Sequence, residues 1–204
     1  MKPLKVVLGT TNRKKEQELR KRLSELPIQL LSYPEDVPPA PEEGTSFRQN
    51  AVAKAIHLAR ATGELVIAED SGLEVDALGG RPGIRSARYA GENATDEDNN
   101  VKLLRELEGV PPEKRNARYR CVIVLANADG PFVEAEGTVE GVIAHEPRGS
   151  HGFGYDPLFI YPPENGTFGE LGASVKDRVS HRAEALEEFS RRAADFLKSY
   201  AGNG

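Results

Sequence analysis

The stretch Leu4-Lys5-Val6-Val7-Leu8-Gly9-Thr10-Thr11-Asn12-Arg13-Lys14-Lys15 changes its period halfway along. Residues 4–9 carry the short apolar run of a buried strand. From Arg13 onward, Leu19, Leu23 and Leu26 recur at helical spacing until Pro27 ends the pattern. A strand, a tight turn and a helix open a βα unit, and that unit points to the α/β class.

Beyond this unit, the proline-rich residues 34–41 read as a loop that ends in Glu42-Glu43-Gly44. Ser46 and Gln49 give a capping-box pattern for a second helix, on which Phe47, Ala51, Ala55 and Leu58 share one face as far as Thr62. Residues 65–68 read as a second strand that delivers Glu69-Asp70-Ser71-Gly72 at its carboxyl end, where α/β folds gather ligand sites. After the loop Gly79-Gly80-Arg81-Pro82-Gly83, Thr95 and Asp98 predict a capped third helix carrying Val101, Leu104 and Leu107 and ending near Gly109. Residues 117–144 alternate on both sides of Asp129-Gly130, the pattern of a long hairpin. A glycine-rich loop over 149–156 follows, and Ser180 caps a last amphipathic helix with Leu186, Phe189, Ala193 and Phe196. The expected fold is therefore α/β, with a long mixed β-sheet flanked by helices.

A chain of 204 residues with 38% hydrophobic and 29% charged residues suits one soluble globular domain over 1–204. No apolar run approaches the roughly 20 residues of a membrane span. Met1-Lys2-Pro3-Leu4-Lys5 enters the first strand without a signal-type apolar region, so a cytoplasmic setting away from membranes is expected. The net charge of −5 argues against a nucleic-acid partner, which needs a concentrated basic face, but leaves room for a small anionic substrate in a local basic site. The single cysteine, Cys121, lies in the apolar run Cys121-Val122-Ile123-Val124-Leu125 and reads as a buried strand residue.

Four segments carry candidate chemistry. Thr10-Thr11-Asn12-Arg13-Lys14-Lys15 sits where a strand turns into a helix, and helix-start amides with hydroxyl, amide and ammonium donors suit phosphate oxygens. The alternative is a capped helix with a solvated basic first turn. Glu69-Asp70, with Glu42-Glu43 arriving from the preceding loop, forms a sparse acidic set that a hard divalent cation would compensate, or an acidic surface loop. In Gly152-Phe153-Gly154-Tyr155-Asp156, Phe153 or Tyr155 is suited to stack on a nucleobase, or both are core aromatics. Lys176 and Ser180-His181-Arg182 put cations near the start of the last helix, where the macrodipole disfavours them unless something electron-rich compensates; His181 is equally readable as a partly buried helix residue.

In this order, the segments resemble the inosine triphosphate pyrophosphatase family, also called the XTP/dITP diphosphatase or Ham1-like family. The resemblance covers nearly the whole chain and includes Gly44-Thr45-Ser46-Phe47, Asn50-Ala51, Asp70-Ser71-Gly72-Leu73, Leu78-Gly79-Gly80-Arg81-Pro82-Gly83, Ser86-Ala87-Arg88-Tyr89, Gly152-Phe153-Gly154-Tyr155-Asp156-Pro157 and Ser180-His181-Arg182. Thr11 stands where glycine is common, and Gln49 where glutamate is common. The resemblance implies a magnesium-dependent hydrolase acting on a purine nucleoside triphosphate, a fold of two lobes with a central cleft, and a homodimer. It implies that, within the substrate-binding run of Thr10, Thr11, Asn12, Arg13, Lys14 and Lys15, the triphosphate is held by Thr10, Asn12 and Lys15, with Lys14 the alternative ammonium, and that Lys176 reaches the phosphates or the base. Asp70 would be the catalytic residue and a ligand of Mg2+, with Glu42 (or Glu43) from the loop; Glu69 is added to the ligand set because it adjoins Asp70 in sequence. Ser71, Phe153, Gly154, Tyr155, Asp156, His181 and Arg182 would complete the nucleotide site.

Overall fold

The opening βα unit forms as expected, with β1 over Leu4–Leu8 and α1 over Arg13–Arg22. The computed structural model describes residues 3–201. Beyond α1 comes a strand that the sequence reading did not find: β2, Ile28–Leu31, which pairs in parallel with β1 in the register Leu4↔Ile28 to Val7↔Leu31. Four residues hemmed in by Pro27 and the prolines after Tyr33 are too few to establish a strand period, so β2 reads as loop in sequence.

α2 spans Phe47–Thr62 and is capped by Ser46, whose side chain accepts from Gln49 N. The reciprocal half of the capping box is displaced by one residue, since Gln49 Oε1 accepts from Thr45 N at 2.8 Å instead of from the cap residue itself. β3 runs Leu65–Val75 and pairs in parallel with β1. It does not stop at Ala68 as expected, but carries Glu69, Asp70, Ser71 and Gly72 within its length. The glycine and the polar run imitate a strand end in sequence, while the pairing continues through them.

α3 spans Asp96–Glu106 with both halves of the Thr95–Asp98 capping box formed. Its buried face is Asn99, Asn100, Leu103 and Leu107; Val101, expected on that face, is 62% exposed. β4 (Asn116–Ala126) and β5 (Pro131–Ile143) are the arms of the expected hairpin, closed by Asn127 Oδ1 accepting from Asp129 N and Gly130 N. Two further short strands, β6 (Phe159–Tyr161) and β7 (Gly166–Thr167), add antiparallel pairing. The sheet order is β2-β1-β3-β4-β5-β6-β7, mixed as anticipated.

α4, Phe168–Val179, was also not expected. Gly169 and Gly172 make its sequence look like loop, and Gly172 does break the helical backbone with φ 73° and ψ −178°, a conformation reserved for glycine. Yet Thr167 and Glu170 form a complete capping box at its start, a sequence signal that was available. α5, His181–Ala201, follows, with Ser180 Oγ accepting from Ala183 N as its cap. None of the described helices is long and apolar enough to cross a membrane.

The chain divides into two compact units, each with its own core. The first takes the chain through Asp70, then Cys121–Glu136 and the residues from Ala185 onward; the second takes Ser71–Arg120 and Gly137–Glu184. In the first, Leu19 of α1, Leu23 at its C-terminal cap, Ile67 of β3, Ile123 of β4 and Phe189 of α5 share a cluster. Each such fully buried side chain contributes roughly 1.5–3 kcal/mol. In the second, Leu73, Leu103, Tyr119, Phe159 and Phe168 form the core, with the Tyr119 and Phe159 ring centroids 4.7 Å apart. The candidate site residues fall into both units.

Candidate active site

In the first unit, strand alternation separates the two acids that adjoin in sequence. Successive β3 side chains point to opposite faces, so Glu69 and Asp70 diverge. Asp70 is 6% exposed and is gripped by α2: Asn50 Nδ2 donates to Oδ2 at 3.1 Å and Lys54 Nζ to Oδ1 at 2.7 Å. Asn50 and Lys54 stand one helical turn apart, which is why both reach the same carboxylate. Asn50 Oδ1 also accepts from Gly44 N at 2.9 Å, holding the end of the proline-rich loop, and Glu42 from that loop pairs with the same Lys54 ammonium. Two carboxylates thus converge on one cationic nitrogen.

The electrostatics of this trio are coupled. Burial pushes the Asp70 carboxyl up, and Lys54 and Asn50 pull it back only in part, leaving it above the usual aspartate value. Burial draws the Lys54 ammonium down, but Asp70 and then Glu42 more than offset this, so it is held above the ordinary lysine value.

Glu69 belongs to a different arrangement. Its Oε1 pairs with Lys15 Nζ at 2.9 Å, and its Oε2 accepts from the buried Cys121 Sγ at 3.0 Å. It therefore anchors the lysine of the first turn of α1 from below. Of the three acids expected to gather at a metal, Glu69 lies on the other face of β3 from Asp70 and is paired with Lys15, and among the described residues no three His, Cys, Asp or Glu side chains form a group that could hold a metal ion. Glu42 and Asp70 remain as a pair, and two carboxylates meeting at one cation position are a donor set that fits a hard divalent ion.

At the β1–α1 turn, Asn12 is the helix cap: its Oδ1 accepts from Lys14 N at 3.0 Å and Lys15 N at 3.2 Å, and its own N–H donates to Thr10 Oγ1. Thr11, Asn12, Arg13 and Lys14 are exposed, whereas Lys15 is half-buried over Glu69. The turn therefore combines a capped helix start with exposed donors.

The second unit gathers the other candidates. Asp156, 1% exposed, forms an ion pair with Lys176 and accepts from Phe153 N at 2.9 Å. Gly152, at φ 81°, leaves room for this carboxylate; a Cβ there would lie 2.0 Å from Asp156 Oδ2. Lys176 Nζ stands 4.3 Å from the centroid of the half-buried Phe153 ring, and Arg182 Cζ stands 5.8 Å from it. Arg182 Nη2 donates to Ser71 Oγ at 3.1 Å, and the His181 ring stacks on Tyr119 at 4.8 Å. Lys176 is not at the start of the last helix but in the last turn of α4, where the macrodipole favours a cation. Tyr155 is 3% exposed and donates to Ser86 O at 2.7 Å; burial raises its hydroxyl pKa well above the ordinary tyrosine value. It is a core residue, whereas Phe153 is only half-buried.

The model of the Ham1 family matches residues 6–192. This chain belongs to the Ham1 family. It is 49% identical over 187 residues, 91% of its length and 93% of the relative's, to the dITP/XTP pyrophosphatase of Desulforamulus reducens. It is 48% identical over 184 residues, 89% of its length and 92% of the relative's, to that of Geobacter sulfurreducens. Among solved structures it resembles a HAM1 protein from Coxiella burnetii, with TM-score 0.88 and 42% identity over 94% of this chain and 99% of that one. The Ham1 protein of Staphylococcus aureus gives 0.83 and 37%, covering 96% and 99%.

Within this member of the Ham1 family, Asn50 and Lys54 are partners of Asp70 that sequence reasoning missed. In the sequence Asn50 stands out only within the Asn50-Ala51 motif, and Lys54 belongs to none of the segments that carry candidate chemistry. The available signal was their spacing: a polar i, i+4 pair flanking Ala51 and Ala55 on a face that buries itself against a strand bearing an acid.

Proposed function

We propose that this chain hydrolyses deaminated purine nucleoside triphosphates, such as inosine, deoxyinosine and xanthosine triphosphates, to the monophosphate and pyrophosphate. The observation that carries the reading is the Asp70 carboxylate, buried, held at both oxygens by Asn50 and Lys54, and drawn with Glu42 toward one cation. A carboxyl kept above its usual pKa is a better proton acceptor than an ordinary aspartate.

In the proposed reaction, Asp70 orients a water and takes its proton as the oxygen bonds to the α-phosphorus. The bond from the α-phosphorus to the bridging oxygen breaks, and its electron pair leaves with pyrophosphate. Lys15 and Lys54, with Thr10 and Asn12, neutralise and hold the phosphate oxygens, and such positioning supplies most of the acceleration in phosphoryl transfer. Glu42 and Asp70 would hold magnesium, which when bound adds positive charge for the triphosphate.

For the base, the Phe153 ring offers a stacking face, while Arg182 and Lys176 offer N–H donors that suit a 6-oxo group. Adenine carries an amino donor at that position and would leave them unmatched, the kind of mismatch that a hydrogen-bonding site rejects strongly. The names of the relatives, dITP/XTP pyrophosphatases, support the same substrate class. The reading includes the homodimer and cytoplasmic setting that the family resemblance implies, and light scattering of the purified chain checks the first. A panel of nucleoside triphosphates with magnesium tests the activity: turnover of inosine and xanthosine triphosphates well above that of adenosine triphosphate is expected, and equal turnover of all purines would defeat the assignment.

A further inference from the structure

Asp96 and Asn100 stand one turn apart at the start of α3 and together take both backbone groups of Gly154. The Gly154 N–H donates to Asp96 Oδ2 at 2.7 Å, and Asn100 Nδ2 donates to Gly154 O at 3.0 Å. With Phe153 N held by Asp156, three successive peptide planes around Phe153 are fixed. The Phe153 Cα is thereby pinned from both sides, and with it the direction in which the ring leaves the backbone.

Asn100 adds an independent indication. It is 8% exposed, and its Oδ1 has no hydrogen-bond partner among the described residues. An apolar side chain on this face of α3, beside Leu103 and Leu107, would avoid leaving that oxygen unsatisfied. Helix packing alone therefore does not account for the amide, whereas its bond to Gly154 does.

We propose that Asp96 and Asn100 are specificity-determining positioning residues, which set the Phe153 ring against the nucleobase by fixing the peptide planes that flank it. This rests on the reading of Phe153 as the base platform. Neither residue is assigned contact with the substrate; each acts through Gly154.

Steady-state kinetics with inosine and adenosine triphosphates test it on the full chain, using Phe153→Ala, Asn100→Ala, Asp96→Ala, Asp96→Asn and the double variant Asn100→Ala/Phe153→Ala. Asn100→Ala and Asp96→Ala should each raise KM for inosine triphosphate about threefold to tenfold while kcat stays within about twofold, and the preference over adenosine triphosphate should shrink. Asp96→Asn retains an acceptor oxygen and should restore a near-native KM. In the Phe153→Ala background, Asn100→Ala should add less than about twofold, because its effect passes through the ring that has been removed. A merely structural role would lower Tm and leave this coupling absent, which overturns the proposal. If Asn100→Ala does not fold, the exposed Asp96 carries the same test. Should Phe153→Ala raise KM while Asp96→Ala and Asn100→Ala do not, the clamp alone is wrong. Should Phe153→Ala itself leave KM unchanged, the base platform is wrong and the clamp falls with it.

Discussion

The two clusters each hold one group still, a side chain in the first and a stretch of backbone in the second, by different means. In the first unit, α2 holds the Asp70 side chain, and the holding group is a charge shared with a second carboxylate, Glu42. In the second, α3 holds the backbone of Gly154 through neutral and charge-assisted hydrogen bonds, while Lys176 and Asp156 form a single buried ion pair beside the ring. Each helix uses residues one turn apart. The difference lies in what is left over: the first cluster sets two carboxylates on one ammonium, a donor set that a further cation would suit, whereas Lys176 and Asp156 pair one to one.

The largest expected effect on this comparison is that of Asp70→Asn, which removes both the proposed proton acceptor and a candidate cation ligand while keeping shape. It should lower kcat by about 10²–10⁴-fold. Glu74→Gln, which alters the partner of Arg120 farther along β3, is the control and should leave kcat near native. Comparable damage from both would place the chemistry elsewhere.

Removing either lysine sharpens the contrast. Lys176→Met leaves Asp156, whose side chain is 1% exposed, without its ion-pair partner and should destabilise by about 3–5 kcal/mol. Lys54→Met leaves Glu42 and Asp70 facing each other, but these side chains are 27% and 8% exposed, so solvent screening reduces the cost to about 2–4 kcal/mol. Magnesium should raise Tm of Lys54→Met more than that of the native chain, and do nothing comparable for Lys176→Met. Equal responses of the two variants would erase the distinction drawn between the clusters.

Arg182→Ala removes a donor expected at the 6-oxo position and should reduce the inosine-to-adenosine ratio of kcat/KM by about tenfold to a hundredfold, equivalent to about 1.5–3 kcal/mol. The smallest effect is on the stability of Asp70→Asn without divalent cation. A carboxyl whose folded pKa is raised favours the fold when protonated, and its ionisation costs stability as pH rises through that raised value. Asn cannot ionise, so at neutral pH the variant should melt at or slightly above the native temperature despite the lost contact to Lys54. A clear fall in Tm would mean that the Lys54 pair outweighs the burial of Asp70.

What the sequence revealed follows from which signals are local. The βα opening, the Asp129-Gly130 hairpin and the capped helices α2 and α3 were legible because period, turn residues and caps lie within a few positions of one another. β2 was too short to show a period, and α4 was hidden by Gly169 and Gly172. The site was legible as residue types in order, but its pairings were not. Only the continuation of β3 through Asp70 shows that Glu69 serves Lys15 and that Asp70 belongs with Lys54, because strand alternation depends on where the strand ends. Likewise, burial distinguishes the core residue Tyr155 from the half-buried Phe153, and nothing in their spacing does.

In the proposed reaction, water attacks the α-phosphorus with pyrophosphate as the leaving group. Hydrolysis of inosine triphosphate in ¹⁸O-labelled water, with the products analysed by mass spectrometry, tests it directly. The label should appear in inosine monophosphate, with unlabelled pyrophosphate released in equal amount; label in pyrophosphate, or release of orthophosphate through the diphosphate, would contradict the account.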